Sequence, residues 1–432
     1  MDKEVSGAGQ LSGELTLPPD KSVSHRSAMF AAIADGESTI DNYSPAADPQ
    51  STLACLRQLG VPVDTDTGKE NRIRIRGVGR EGLKEPLSDL DCGNSGTTMR
   101  LLSGILTGAG VRSRLTGDAS LSARTMKRIL EPLRQMGGRI TGRHDNYAPL
   151  DIQPDGVIQG IRYPLPIASA QLKSAILLAG LFGENPTEVI ETGPSRDHTE
   201  RLLQLPEEEY GNGKIIRSSL RSPIPIQNYR VPGDFSAASF WLVAGAIHPE
   251  AEILIRNMGL NPSRTAALQI LQEMGADIEV RESEVSGPEP MGDVTVRSSG
   301  LRAVNLPPSL VPNCIDELPV LMVAMCFAEG RSEITGAEEL RHKETDRLQA
   351  MANVLTASGG KFEVRKDGIS IHGRGGSYRP DPAVFESEHD HRVAMASAVL
   401  ALMADGRSTV RGAECTAISY PGFWSDLKSL TN

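Results

Sequence analysis

No run of this chain is apolar for long enough to cross a bilayer. The longest, Val393 to Ala404, is about 12 residues, and a spanning helix needs ~20. Positive charge is in short supply as well. Forty-five Lys and Arg stand against 55 Asp and Glu, for a net charge of −10. General nucleic-acid binding is disfavoured, because a phosphate backbone demands a basic footprint. Any anion site must be a local concentration of cations in an acidic molecule. Cysteine is scarce: Cys55, Cys92, Cys314, Cys326 and Cys415 are odd in number, dispersed, and never form a CxxC. Reduced thiols are expected rather than a disulfide framework. The opening Met1-Asp2-Lys3-Glu4-Val5 has no apolar segment of the kind a signal peptide carries. These absences lead to the expectation of a cytoplasmic protein with neither a membrane nor a nucleic-acid partner.

What is present is a repeated pattern. Six times, a short polar cluster runs into an almost wholly apolar helical stretch, which ends near Gly or an acid-Gly turn and is followed by a β-like run. The starts are Asp20-Lys21-Ser22, Asn94-Ser95-Gly96, Ser169-Ala170-Gln171, Asp234-Phe235-Ser236, Asp316-Glu317-Leu318 and Asp390-His391-Arg392, spaced 74, 75, 65, 82 and 74 residues apart. A helix start is an anion site, since its free N–H groups and dipole favour negative charge. Leu17-Pro18-Pro19-Asp20-Lys21-Ser22 parallels Val231-Pro232-Gly233-Asp234-Phe235-Ser236. In both, an amphipathic second helix follows, with Leu53, Leu56 and Leu59 or with Leu268, Leu271 and Met274, and ends at Gly60 or Gly275. The unit reads helix, strand, helix, strand, with extra strands such as Ile73-Arg74-Ile75. A chain of 432 residues exceeds a single core, and three units per half give two similar domains. Pro206 to Gln227, with Glu207-Glu208-Glu209 and Gly211-Asn212-Gly213, reads as a loop or linker.

Several clusters have chemical potential, each with a plainer alternative. Lys21 and Arg26 place two cations at the first apolar helix, where Ser22 can cap; the alternative is a solvated surface cap. Gly93-Asn94-Ser95-Gly96-Thr97-Thr98-Met99-Arg100 can cradle a phosphate or carboxylate. It is no Walker loop, and Gly-Asn is also ordinary turn chemistry. Arg124 and Arg128 share a helical face, which could equally be a solvated basic face. Arg341-His342-Lys343-Glu344-Thr345-Asp346-Arg347 flanks a carboxylate with cations, which holds it ionised or poises it for proton transfer; an exposed salt-bridged helix fits the same pattern. Asp316 alone reads as a helix cap. His389 and His391 lack the further spacing of a metal set, so no metal is expected. The fourth start, Asp234-Phe235-Ser236, has no Lys or Arg beside it in sequence and reads as structural.

These stretches together resemble the 3-phosphoshikimate 1-carboxyvinyltransferase (5-enolpyruvylshikimate-3-phosphate synthase) family, over essentially the full length. The matching segments are Leu17 to Arg26, Gly93 to Arg100, Lys343-Glu344-Thr345-Asp346-Arg347-Leu348 and Asp390-His391-Arg392. The resemblance implies an α/β (α+β) protein of two similar domains, each of three repeated βαβαββ-type units with buried helices. It implies an inside-out α/β barrel, with the active site in the interdomain cleft. The domains would be 1–19 with 233–432, and 20–232. The reaction implied is transfer of enolpyruvyl from phosphoenolpyruvate to the 5-hydroxyl of shikimate 3-phosphate, releasing phosphate, on the route to chorismate and the aromatic amino acids. It needs no metal or organic cofactor, and a monomer is expected. By similarity, Lys21, Asn94, Gly96, Arg124, Gln171, Arg347 and Arg392 would hold phosphoenolpyruvate. Lys21, Ser22, Arg26, Ser169, Gln171, Arg196, Asp316 and Lys343 would hold shikimate 3-phosphate. Asp316 is implied as the base and Glu344 as the proton donor, with Lys21 also catalytic.

The chain departs from parts of that pattern. Pro19 stands where many members have Gly, and Ala170 replaces a second Ser. Ser195 to Glu200 occupies the place of a Tyr-bearing segment, and Ile418 that of a phosphoenolpyruvate-binding Lys. Lys173 is expected to replace part of that lost cation. The sister enzyme that transfers enolpyruvyl to UDP-N-acetylglucosamine is the alternative, but its reactive Cys belongs between positions 117 and 124, where this chain has none. A nucleic-acid-end cyclase and a non-catalytic repeat scaffold are the remaining readings.

Overall fold

The computed structural model describes residues 1–66, 71–154, 157–283 and 287–431. By packing the chain divides into two units. An inserted unit comprises Pro19–Val231 and Gly287–Glu289; a terminal unit comprises Met1–Pro18, Pro232–Ser286 and Pro290–Asn432.

The inserted unit contains three helix pairs. They are α1 (Lys21–Ile33) with α2 (Ala47–Gln58), α3 (Gly96–Ala109) with α4 (Lys127–Gln135), and α5 (Ala170–Gly180) with α6 (His198–Leu203). The terminal unit repeats the plan with α7 (Phe235–Ile247) and α8 (Ala266–Glu273), α9 (Leu318–Cys326) and α10 (Arg347–Ala357), and α11 (His391–Ala401) and α12 (Phe423–Leu430). The first helix of each pair is apolar nearly all round, and such a helix is stable only when buried. All 13 residues of α7, all nine of α9 and all 11 of α11 are buried.

The polar starts work mainly as caps. Asp20, Ser95, Ser169, Asp234 and Asp390 each accept a backbone N–H two or three residues ahead, which satisfies one of the orphan donors of a helix end. Ser22, expected as a cap, instead lies inside α1, and the capping oxygen belongs to Asp20, 2.9 Å from the Val23 nitrogen. Of the six buried first helices, α9 alone starts without a side-chain cap. In the inserted unit, small residues let buried helices touch backbone to backbone. A Cβ on Gly104 of α3 would lie 2.3 Å from the Ala175 carbonyl oxygen of α5, so a larger residue there must push the two helices apart.

Among the described residues the strands form six small sheets, which do not merge into one closed barrel. Five have four strands and one has three. In each, the strand after the buried helix pairs in parallel with another strand; in four sheets this is the strand just before the helix, and in two it comes from far along the chain. Asp35–Asp41 takes Tyr229–Arg230 from the end of the inserted unit. In the terminal unit, Ala251–Gly259 takes Leu11–Thr16. Each unit is thus tied at its own seam by a strand distant in sequence.

Part of the linker expected at Pro206 to Gln227 is a hairpin. Glu207–Tyr210 pairs with Gly213–Ser218 across Gly211-Asn212. The three glutamates suggested a solvated loop, but Glu207 is 2.9 Å from Lys214 and Glu208 is 2.7 Å from Arg217 on the facing strand, and opposite charges across a ladder support pairing. Among the described residues no helix is long and apolar enough to cross a membrane.

Candidate active site

The start of α1 supplies two cations with different surroundings. Lys21, half-buried, has its Nζ 3.5 Å from Asp48. Arg26, one turn on, is buried and held from behind by neutral oxygens. Its Nε donates to Thr199 Oγ1 (2.8 Å), its Nη1 to the Ser22 carbonyl (3.1 Å) and its Nη2 to Ser174 Oγ (3.0 Å). Burial lowers the guanidinium to about 10, against the pull of Glu200 and Asp20. Half-buried Arg196 adds its like charge nearby.

Beside Arg26, His25 is packed into α1 with Nδ1 2.7 Å from Thr52 Oγ1. Burial, reinforced by the charges of Lys21 and Arg26, drives this imidazole down to about 3 from 6.5, with Asp20 opposing. The folded protein therefore keeps His25 neutral, while the unfolded chain takes up a proton below pH 6.5. The stabilisation is complete above that value and is lost as pH falls towards 3. At pH 5 the gap is worth about 2 kcal/mol. Between pH 7 and pH 5 the wild type should lose about that much more unfolding free energy in urea than His25→Gln does. Parallel losses would show that another group titrates.

The starts of α3 and α5 meet through an amide. Gln171 Nε2 donates to Thr97 Oγ1 at 3.0 Å, and Gln171 Oε1 accepts from Arg100 Nη1 at 2.7 Å. Asn94 Oδ1 accepts from Arg124 Nη2 at 2.8 Å, and its amide donates to Asp118. Gly96 opens α3 beneath two guanidinium groups. A Cβ there would lie 2.7 Å from Arg100 Nη1 and 3.7 Å from Arg124 Nη1. Burial, with the like charges of Arg124 and Arg128, brings Arg100 down to about 10. Among the described residues, none of Arg26, Arg100 and Arg124 forms an ion pair. A helix start faced by cations without counter-ions is chemically an anion receptor. Ser169 caps α5 beside them, its Oγ 3.4 Å from the Leu172 nitrogen.

In the terminal unit the same plan is filled with acids. Arg347, the first residue of α10, is almost fully buried among three carboxylates. Its Nε is 2.8 Å from Asp390 Oδ2, its Nη2 is 2.7 Å from Glu344 Oε2, and its Nη1 is 3.4 Å from Asp316 Oδ1. Burial opposes its charge, but Glu344, Asp390 and Asp316 outweigh that and hold it above the ordinary arginine value. Asp316 and Glu344 are thus fixed on separate nitrogens of one guanidinium. Asp390 also caps α11, its Oδ1 2.8 Å from the Arg392 nitrogen. Arg392 points its guanidinium 3.9 Å from Glu317. Lys343 reaches Glu339 at 3.5 Å.

Contacts join Gln171 to the Gly96 turn, Arg124 to Asn94, and Asp316 and Glu344 to Arg347, whereas Lys21, Lys343 and Arg392 pair with Asp48, Glu339 and Glu317; four sequence readings change. The charged stretch Arg341 to Arg347 is not one salt-bridged helix: Glu338–His342 is a 3-10 turn and α10 begins only at Arg347, capped by Asp346. Arg124 and Arg128 do not share a helix face, because the short helix Ala119–Ala123 ends at Arg124 before α4 begins. Lys173 does not stand in for a lost site cation. It is fully buried, with Nζ 2.6 Å from Glu200 and 3.1 Å from Glu191, while Ile418 is half exposed in a 3-10 turn. The fourth helix start does have a cation: Arg264 Nη2 lies 2.9 Å from Ser236 Oγ and 3.4 Å from Asp234. Sequence reasoning also passed over Arg100 as a site residue, although its place four residues after Gly96 puts it one turn along the same helix. Among the described residues no group of three or more His, Cys, Asp or Glu is placed to hold a metal ion.

Comparison with known proteins agrees with this architecture. The fold recurs in the enolpyruvyl transferase NikO from Streptomyces tendae, at 19% identity and a TM-score of 0.76 over 99% of this chain and 96% of that one. The profile of the family described as EPSP synthase (3-phosphoshikimate 1-carboxyvinyltransferase) matches residues 5–427, and the chain belongs to that family. A 3-phosphoshikimate 1-carboxyvinyltransferase from Salinibacter ruber is 49% identical over 100% of both chains. One from Synechococcus sp. WH7803 is 47% identical over 99% of this chain and 98% of its own. The solved EPSP synthase from Acinetobacter baumannii is 41% identical, with a TM-score of 0.90 over 100% of this chain and 98% of that one.

Proposed function

We propose that this protein transfers the enolpyruvyl group of phosphoenolpyruvate to the 5-hydroxyl of shikimate 3-phosphate and releases phosphate. The observation that carries the reading, beside family membership, is the set Arg26, Arg100 and Arg124. Arg26 on α1, Arg100 on α3 and Arg124 facing the start of α3 lack ion-pair partners among the described residues, and substrates bearing phosphates and carboxylates supply such partners. Lys21, Ser22, Arg26, Ser169, Gln171, Arg196, Asp316 and Lys343 bind shikimate 3-phosphate in this reading. Lys21, Asn94, Gly96, Arg124, Gln171, Arg347 and Arg392 bind phosphoenolpyruvate.

The terminal unit contributes the proton chemistry. Asp316 takes the proton of the 5-hydroxyl as its oxygen bonds to C2 of phosphoenolpyruvate. Glu344 delivers a proton to C3, which becomes a methyl group. Lys21 offers positive charge to the adduct. The carbon–oxygen bond to phosphate then breaks, its electron pair leaving with the phosphate, C3 returns a proton to the Glu344 carboxylate, and the vinyl group re-forms. The cationic groups stabilise charge that develops during addition and departure of phosphate. We also read the enzyme as a cytoplasmic monomer with no cofactor; the five free cysteines are all buried, as suits reduced thiols.

Phosphate release by the purified chain with both substrates tests the reading, with UDP-N-acetylglucosamine replacing shikimate 3-phosphate as the control. Release only with the shikimate substrate is the expected result. Release only with the sugar nucleotide, or with neither, would sink the proposal.

A further inference from the structure

Arg26 and Arg347 are both buried guanidiniums, but only Arg347 is neutralised in place. The difference arises on two short segments of the inserted unit. Lys173 and Ser174 are neighbours on α5; Thr199 and Glu200 are neighbours on α6. Successive helical residues point about 100° apart, so each segment presents a charge on one side and a hydroxyl on another. On one side, buried Lys173 lies between Glu200 (2.6 Å) and Glu191 (3.1 Å), and Lys214 reaches Glu200 at 3.4 Å. Ser195 Oγ also donates to Glu191. On the other, Ser174 Oγ and Thr199 Oγ1 meet at 2.6 Å, and both accept from Arg26.

We propose that Thr199 is a positioning residue for Arg26, and that the Lys173–Glu200 pair sets the register of α5 against α6 that brings Thr199 and Ser174 onto that guanidinium. The carboxylate of Glu200 is drawn to Lys173, while the neighbouring hydroxyl turns to Arg26. Arg26 is thereby fixed by neutral acceptors and keeps its charge for a substrate anion. The proposal rests on the reading that Arg26 binds shikimate 3-phosphate.

Thr199→Val preserves shape and removes the acceptor. Its KM for shikimate 3-phosphate should rise roughly tenfold, the weight of one hydrogen bond to a charged group, while the KM for phosphoenolpyruvate stays within about twofold. Thr199→Ser should restore the wild-type value. A rise in both constants together, or no rescue by Ser, would overturn the proposal. A second measurement needs no substrate: the Arg26 Nε proton, followed by NMR, should exchange with solvent several-fold faster in Thr199→Val than in the wild type. Unchanged exchange rejects the positioning role even if the enzyme is active. A wild type without turnover refutes the functional reading, and the exchange experiment then decides the positioning role by itself.

Discussion

With Asp316 replaced by Ala, the protein folds, binds phosphoenolpyruvate, and turns over about 10²–10⁴ times more slowly, the usual weight of one general acid or base. The geometry makes this variant a clean one. Asp316 is partly exposed, and its contact with Arg347 is the longest of the three, at 3.4 Å. Arg347 keeps Glu344 at 2.7 Å and the buried Asp390 at 2.8 Å. Removing Asp316 therefore leaves Arg347 with two carboxylate partners, and the large stability penalty of stranding that buried cation does not arise. A fall in kcat at unchanged melting temperature, with phosphoenolpyruvate binding retained in calorimetry, is the expected pattern. A folded variant with near-wild-type kcat would remove Asp316 from the proton-transfer step.

The same arrangement shows why some of the site can be read from sequence and some not. Helix starts are local: Asp20, Ser95 and Asp390 sit within three residues of the N–H groups they cap, so a polar cluster before an apolar run suffices to find them. The clusters around Gly96 and Glu344 are legible for the same reason. Other partners come from chain crossings that no local pattern records. Thr199 is 173 residues from Arg26, and Arg264 is 28 residues from Ser236. A start without Lys or Arg beside it in sequence thus acquires a buried arginine. Local periodicity also misleads where a helix stops early. Lys343 and Arg347 have helical spacing, but Asp346 caps a helix that begins only after it, so the two diverge. The hairpin at Glu207–Ser218 was hidden by its charge: three successive glutamates look solvated until Lys214 and Arg217 return along the next strand.

The two units solve the problem of a buried guanidinium in opposite ways. In the inserted unit, hydroxyls and carbonyls orient Arg26 and an amide steadies Arg100, so positive charge remains available to an incoming anion. In the terminal unit, carboxylates surround Arg347, which in turn holds Asp316 and Glu344. The arginine there aligns the two carboxylates to which the proposed mechanism assigns proton transfer. That division follows from side-chain chemistry imposed on a common repeat. It also makes one carboxylate more consequential than its sequence position suggests.

That carboxylate is Asp390. It is fully buried, its Oδ2 holds Arg347 Nε at 2.8 Å, and its Oδ1 caps α11 at the Arg392 nitrogen, also at 2.8 Å. A single side chain thereby holds the guanidinium of one arginine assigned to phosphoenolpyruvate in the terminal unit and the backbone N–H of the other. Asp390→Ala removes the anchor and the cap together, and breaking a buried pair from one side costs about 3–5 kcal/mol. At ~2–4 °C per kcal/mol for a unit of this size, the melting temperature should fall by roughly 6–20 °C. Asp390→Asn separates the two roles. Its amide oxygen still accepts from Arg392, but its NH₂ group faces the Arg347 Nε–H, donor against donor. This variant should keep α11 capped, lose about half as much stability, and raise the KM for phosphoenolpyruvate at least tenfold, about 1.4 kcal/mol of binding. Adding Arg347→Met to Asp390→Asn removes the unpaired cation, so part of the lost stability should return while activity does not. If the double variant melts no higher than Asp390→Asn alone, the cost lies in the cap or the packing, and Asp390 is not the charge anchor of this site.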